Sequence, residues 1–133
     1  MAIEHKDIKT FAPAALQELF LSVDWESGQY PEKLAAAMEH SDAVYSAWDG
    51  DKLVGLMNAI TDHAMTAYFH YLLVRPEYQR QHIGSALIQR MLAHYWDIPC
   101  KLLLCDEDGK EFYKKCGFDD GKDLQAVYVS DMY

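Results

Sequence analysis

The run Val74-Arg75-Pro76-Glu77-Tyr78-Gln79-Arg80-Gln81-His82-Ile83-Gly84-Ser85-Ala86-Leu87 holds the residues whose order could do chemistry. An apolar stretch ends at Val74, a polar turn follows, and apolar residues at helical spacing begin at Ile83. The first N–H groups of a helix have no intrahelical partner and carry partial positive charge. A glycine there, Gly84, lets an anion approach the backbone closely. The pattern reads as a cradle for a phosphate or pyrophosphate. On spacing alone it fits an ordinary strand-to-helix turn equally well. His70, four residues before Val74, titrates near neutral pH and is a candidate proton carrier; a strand histidine bonded to a neighbour is the plain alternative. Cys100, Cys105 and Cys116 are odd in number and show no Cys-x-x-Cys spacing, so they read as small buried hydrophobes, and no metal site is expected.

These groups need elements to hold them. A short first strand is expected from Ile3 to Ile8, then a helix from Pro13 to Leu21 with proline in its first turn. Trp25-Glu26-Ser27-Gly28-Gln29-Tyr30 reads as a loop, and Pro31 opens a second helix to about His40. Strands follow from Ala43 to Trp48 and from Leu53 to Ile60, joined by Asp49-Gly50-Asp51, a strong hairpin signal. A third runs from Ala64 to Val74 and stops at Pro76, which has no N–H for a ladder. Leu87, Ile88, Met91, Leu92 and Tyr95 fall on one face of a helix from Ile83 to about Trp96. A buried-looking strand, Lys101 to Cys105, a short helix from Gly109 to Lys115 ended by Gly117, and a last strand from Leu124 to Val129 complete the chain. The order β-α-α-β-β-β-α-β-α-β is a mixed α/β fold, with a crossover from Tyr68 to Cys105.

The 133 residues suffice for one domain, 1–133, with a single sizeable core. Hydrophobic residues make up 50% and aromatics 13%, which excludes disorder. A net charge of −9 disfavours nucleic acid, whose phosphates need a basic face. No apolar run approaches a membrane span, and Met1-Ala2-Ile3-Glu4-His5 has neither the charge nor the apolar stretch of a signal peptide, so a reduced cytoplasmic protein is expected. The acidity is lopsided: residues 1–62 carry 4 Lys/Arg against 11 Asp/Glu, and the remainder 8 against 10. This is either solubility alone or two half-surfaces, one for a cationic and one for an anionic ligand.

Two motifs then carry a resemblance. Gln79-Arg80-Gln81-His82-Ile83-Gly84, after the strand Leu72-Leu73-Val74 and Pro76, resembles motif A of the GNAT superfamily of acetyl-CoA-dependent N-acetyltransferases, Gln/Arg-x-x-Gly-x-Gly/Ala. An overlapping frame, Gln81-x-x-Gly84-x-Ala86, also fits; the distance from Val74 and Pro76 favours the first. Glu111-Phe112-Tyr113-Lys114-Lys115-Cys116-Gly117-Phe118 is similar to motif B, which ends Phe-Tyr-x-x-x-Gly-Phe. The resemblance covers roughly Ala43 to Phe118. It implies a GNAT-like fold with a twisted, mostly antiparallel sheet of about six to seven strands and helices on both faces. It implies that backbone groups of Leu72, Leu73 and Val74 pair with the pantetheine arm of acetyl-CoA. Backbone N–H groups of Arg80, Gln81, His82, Ile83, Gly84 and Ser85 would hold the pyrophosphate, with Gln79 and Phe112 beside them. Tyr113 would protonate the leaving thiolate, a role a phenol can fill. Two positions depart from the pattern. His82 stands where the family has a glycine, and the cradle is expected to tolerate it if its φ is negative. Asp106 stands where the family often has a cofactor-touching Asn, and could instead cap a helix.

Amine acetylation needs a neutral nucleophile, so a base must take a proton. The run His70-Tyr71-Leu72-Leu73-Val74 is similar to a His-bearing strand of the arylalkylamine members, which marks His70 as the base, with Tyr68 two residues earlier on the same strand face. In the family the N-terminal helix–loop–helix walls the acceptor pocket; here that wall would include Trp25, Glu26 and Tyr30, whose aromatic faces and carboxylate suit a cationic amine. Arg75, Arg80, Lys114 and Lys115 are expected around the anionic cofactor. The resemblance thus implies transfer of acetyl from acetyl-CoA to the primary amine of a cationic small molecule by direct attack in a ternary complex, in a family that often forms dimers. Open beside it stand a protein lysine or N-terminal acceptor, and a CoA-binding regulatory module without turnover. A Rossmann domain is disfavoured, because the glycine pattern is incomplete and an antiparallel meander precedes it.

Overall fold

A computed structural model describes residues 2–132. Met1 and Tyr133, the ends of the expected domain, lie outside the described residues. Strand β1 (Glu4–Lys6) leads into α1 (Pro13–Ser22), a 3₁₀ turn at Glu26–Gln29, and α2 (Pro31–His40). Proline sits in the first turn of both helices, where its missing N–H costs nothing. A meander follows: β2 (Ala43–Asp49), β3 (Lys52–Thr61) and β4 (Thr66–Val74). Gly50 turns the first hairpin with φ of 60°, a left-handed conformation glycine adopts without strain. A 3₁₀ turn at Pro76–Tyr78 precedes α3 (Ile83–His94); β5 (Cys100–Leu103), another 3₁₀ turn at Glu107–Gly109 and α4 (Lys110–Lys115) complete the order.

The sheet runs β1-β2-β3-β4-β5, antiparallel in its first three pairings and parallel between β4 and β5. The expected mixed α/β class, mostly antiparallel sheet and helices on both faces are all present. The strand count differs: five among the described residues, not six or seven. Residues 124–129 form no strand. Residues of strand-forming type become a strand only when a neighbouring ladder takes up their backbone groups, and here β5 pairs with β4 alone among the described residues. For the same reason β5 is not buried as expected: Leu102 and Leu104 are exposed. Cys100 and Cys105 are also exposed rather than core residues, and only Cys116 is partly buried.

Two apolar layers sandwich the sheet. On one face Met57, Ala59, Ala67 and Phe69 pack against Leu87, Ile88, Met91 and Tyr95 of α3. On the other, Leu53, Leu56 and Leu73 pack against Leu16, Leu19 and Phe20 of α1 and Leu34 and Met38 of α2. No helix is long and apolar enough to cross a membrane among the described residues.

One irregularity positions everything that follows. Met57 pairs with Leu72, but Ala59 pairs with Phe69, so β4 carries an extra residue opposite Asn58. Such a bulge moves subsequent side chains to the opposite face. Before it, Ala67 and Phe69 face α3; after it, Tyr71 and Leu73 face α1 and α2, and Leu72 and Val74 turn toward α3.

Candidate active site

The parallel pairing of β4 with β5 ends at Phe69 and Leu103. Beyond it β4 continues to Val74 with β3 on one side only, so its outer backbone groups open onto a cavity of about 850 Å³. That volume suits a small organic ligand or a cofactor arm. Leu72, Leu73 and Val74 line it, as do Arg80, His82, Ile83, Gly84 and Ser85 from the turn and the start of α3, and Phe112 and Tyr113 from α4. The two motifs, remote in sequence, therefore share one cavity.

The turn before α3 has the form of an anion cradle. Gln79 N–H donates to Pro76 O, and Ala86 N–H donates to His82 O. Between them lie the N–H groups of residues 80–85, at the positive end of a helix. The Gln79 side chain donates to Val74 O at 3.0 Å and ties the turn to the end of β4. The Ser85 hydroxyl donates to His82 O at 3.1 Å. Arg80 and His82 both take positive φ, 65° and 64°. The condition for an easy substitution at His82 is thus not met: the family's glycine marks a left-handed position, and the histidine bears some strain there. Gly84 answers a different demand. A Cβ at this position would lie 3.3 Å from Phe112 Cζ, so glycine lets α4 close over α3. Gln81 is exposed and does not line the cavity.

Tyr113 and His70, two titratable groups, line the same cavity. Burial pushes the Tyr113 phenol up to about 12, with a smaller contribution from nearby Cys105, so it keeps its proton at neutral pH. Its ring packs edge-on against Phe112 and Phe118. His70 emerges at the bulge, its ring stacked 3.9 Å from that of Tyr71 and 5.6 Å from that of Tyr68. Partial burial holds its pKa below the ordinary histidine value, so it is neutral and able to accept a proton. The pair supplies a proton acceptor and a proton donor to one cavity.

Asp106 lines the cavity and accepts the Gly109 N–H at 2.9 Å, which makes it the cap of the turn before α4. Trp25 also lines it, within an aromatic cluster with Phe20 and Tyr71. The remaining expected acceptor residues do not gather here. Tyr30 lines a second cavity of about 610 Å³, with Ser27, Lys33, Tyr71 and residues 129–132. Glu26 and Tyr68 line neither.

The expected ring of cations is corrected as well. Arg75 is buried and turned away: its Nε donates to Leu53 O at 2.7 Å and a terminal nitrogen meets Glu18 at 2.9 Å. A guanidinium seeks carbonyl and carboxylate acceptors, and it finds them on β3 and α1. Lys114 pairs with Glu111 and Asp120, and neither it nor Lys115 lines the cavity. Of these four, Arg80 alone lines the cavity. Sequence reading missed Asn58, buried in β3, whose side chain holds the bulge: its Oδ1 accepts the Tyr71 N–H at 2.9 Å and its Nδ2 donates to Ser41 Oγ. Only its polarity inside an apolar strand could have marked it. Among the described residues no three His, Cys, Asp or Glu side chains gather as a metal site needs.

Comparison with known proteins agrees with this geometry. Residues 11–118 match the Acetyltransferase (GNAT) family. A chloroplastic GCN5-related N-acetyltransferase of Arabidopsis thaliana is 40% identical over 73 residues, covering 53% of this chain and 31% of its own length. A soybean (Glycine max) histone acetyltransferase is 33% identical over 117 residues, covering 78% of this chain and 50% of its own. The chain thus spans about a third to a half of the length of these relatives. Among solved structures, a GNAT-family acetyltransferase of Streptococcus pneumoniae superposes with a TM-score of 0.83 at 29% identity, covering 98% of this chain and 99% of that one. Family match, fold and the meeting of the two motifs in one cavity agree, and the chain belongs to the GNAT acetyltransferase family.

Proposed function

We propose that this protein transfers an acetyl group from acetyl-CoA to the primary amine of a small cationic molecule, by direct attack in a ternary complex. The observation that carries the reading is the placement of His70 and Tyr113 in one cavity that also holds an anion cradle. Acetyl-CoA supplies an acyl group activated as a thioester. The turn N–H groups of residues 80–85 bind its pyrophosphate, and the open backbone of Leu72, Leu73 and Val74 orients its arm. His70 takes the proton that the amine must lose. As the N–C bond forms and the C–S bond breaks, Tyr113 donates its phenolic proton to the departing sulfur. The aromatic face of Trp25 and the acidic N-terminal half favour a cationic acceptor.

The name of the soybean relative favours a second reading, with a lysine side chain of a protein as the acceptor. An amine panel containing polyamines, arylalkylamines, aminoglycosides and a lysine-rich peptide separates the two. Replacing Tyr113 by Phe should lower kcat by about 10²-fold or more while acetyl-CoA binding is kept. Acetyl-CoA binding without CoA release for any amine would instead make the protein a regulatory CoA-binding module.

A further inference from the structure

We propose that the hydrogen bond from Tyr78 to Asp49 sets the position of the phosphate cradle, which makes both side chains positioning residues for acetyl-CoA. The inference rests on the acetyltransferase reading, because it concerns the same cradle. The turn at residues 79–85 does not support itself. Arg80 and His82 both hold left-handed φ although each has a Cβ, and such residues keep that conformation only where their surroundings impose it. The turn's own bonds are local. Gln79 reaches Val74 O and Pro76 O, and Ser85 reaches His82 O. The ties to distant parts of the chain come just ahead of it. Arg75 N–H donates to Val54 O at 2.8 Å, at the strand end. Tyr78, two residues before Arg80, donates its hydroxyl to Asp49 Oδ2 at 2.5 Å, twenty-nine residues away. Arg75 acts where the turn begins; Tyr78 acts beside the cradle and lines the same cavity.

The β2–β3 hairpin is the platform for this contact. Asp49 closes β2, and Lys52 opens β3 opposite it. Together they hold Tyr78. The carboxylate accepts its hydroxyl, and the Lys52 ammonium lies 5.4 Å from the centre of its ring. An O–H bond to a carboxylate at this length is charge-assisted and roughly twice as strong as one between neutral groups. The bond to Asp49 also holds the Tyr78 pKa above its ordinary value, so the hydroxyl stays protonated and keeps donating.

The Tyr78 ring is buried, in the apolar layer that contains Ile83 and Leu87 of α3. Gly55 belongs to the same seat: a Cβ there would lie 3.1 Å from Ile83 Cγ2. Where burial alone is needed, phenylalanine suffices. A phenol bonded to a fixed carboxylate sets the direction of the ring as well. The backbone that follows Tyr78 within two residues carries the N–H groups of the cradle. A binding constellation works when such supporting bonds hold it within about 0.5 Å of its productive geometry. The residues that signal the hairpin in the sequence thus have a second use, as the anchor of a turn that β4 alone would leave loose.

Isothermal titration of acetyl-CoA into the full chain tests the assignment. Tyr78→Phe keeps the ring and removes the donor, and it should weaken binding by about tenfold. Asp49→Ala breaks the same bond from a partly exposed hairpin position, so it serves where the first variant does not fold, and it should weaken binding equally. The double variant should bind no more weakly than either single one, because one bond is lost in all three. Asp49→Asn should stay within about twofold of the unmutated chain, since its carbonyl oxygen still accepts the hydroxyl. S-acetylpantetheine, which has the thioester arm and no pyrophosphate, separates positioning of the cradle from general loosening. Its affinity, followed by NMR titration, should change by less than about twofold in every variant. Unchanged acetyl-CoA affinity in Tyr78→Phe, additive losses in the double variant, or an equal loss for S-acetylpantetheine would each overturn the assignment. An unmutated chain that binds no acetyl-CoA would instead overturn the proposed function, and the assignment with it.

Discussion

The side-chain oxygen of Asn58 accepts the backbone N–H of Tyr71 at 2.9 Å, across the bulge that separates the two halves of β4. The register shift at this bulge turns His70 and Tyr71 to different pairings from those a regular strand would give them. Asn58 is buried, and its amide nitrogen also donates to Ser41 Oγ at 3.0 Å. Asn58→Ala leaves the Tyr71 N–H without its partner and should cost about 2 kcal/mol of stability, read by urea unfolding. It should also weaken acetyl-CoA binding by about tenfold in a chain that remains folded by circular dichroism, because the open backbone after the bulge loses its aim. Unchanged affinity would show that the bulge serves folding alone.

His70 sets the expected pH dependence. Partial burial disfavours its charged form and lowers its pKa from the ordinary 6.5. A base works in its neutral form, so activity should rise with pH through a limb whose midpoint lies below 6.5. His70→Gln should remove that limb and lower kcat/KM on the order of 10²-fold, with acetyl-CoA affinity kept. A limb that survives the substitution would assign it to another group.

His82 has φ of 64° and caps α3 without a side-chain hydrogen bond. A left-handed conformation disfavours a residue with a Cβ, so His82→Gly should relieve strain and raise stability by up to about 1 kcal/mol, less the extra freedom glycine gains when unfolded. Acetyl-CoA affinity should change by less than about threefold, since the backbone N–H is retained. Thermal unfolding and isothermal titration at several pH values measure both. A large, pH-dependent loss of affinity would place the imidazole on a phosphate.

Arg75 tests the correction to the charge picture. Its guanidinium serves Leu53 O of β3 and Glu18 of α1, not the cavity. Arg75→Ala should cost about 2–3 kcal/mol, mostly through the buried carbonyl it leaves unpaired. Glu18→Gln should cost less than about 1 kcal/mol, because that carboxylate is largely exposed. Neither should alter acetyl-CoA affinity, whereas Arg80→Ala should weaken it in a salt-dependent way.

The elements and the local chemistry follow from short-range order along the chain. Prolines at helix starts, Asp49-Gly50 at the hairpin and the apolar stripe of α3 act over a few residues, and they form as written. The turn at residues 79–85 and Tyr113 were legible for the same reason, as short motifs with fixed spacing. Contacts that depend on partners far along the chain are set by packing. Asn58 holds Tyr71 from thirteen residues away, and Arg75 finds Glu18 across fifty-seven. The same holds at the C-terminus. Residues 124–129 have the apolar, β-branched and aromatic character of a strand, but that character states only which side chains can be buried, and pairing needs an edge to receive them. Tyr30 and Trp25 are five residues apart and line different cavities; Tyr71, whose ring packs on Trp25, lines the second beside Tyr30. Side-chain types and spacing set which chemistry was available; packing set which groups meet.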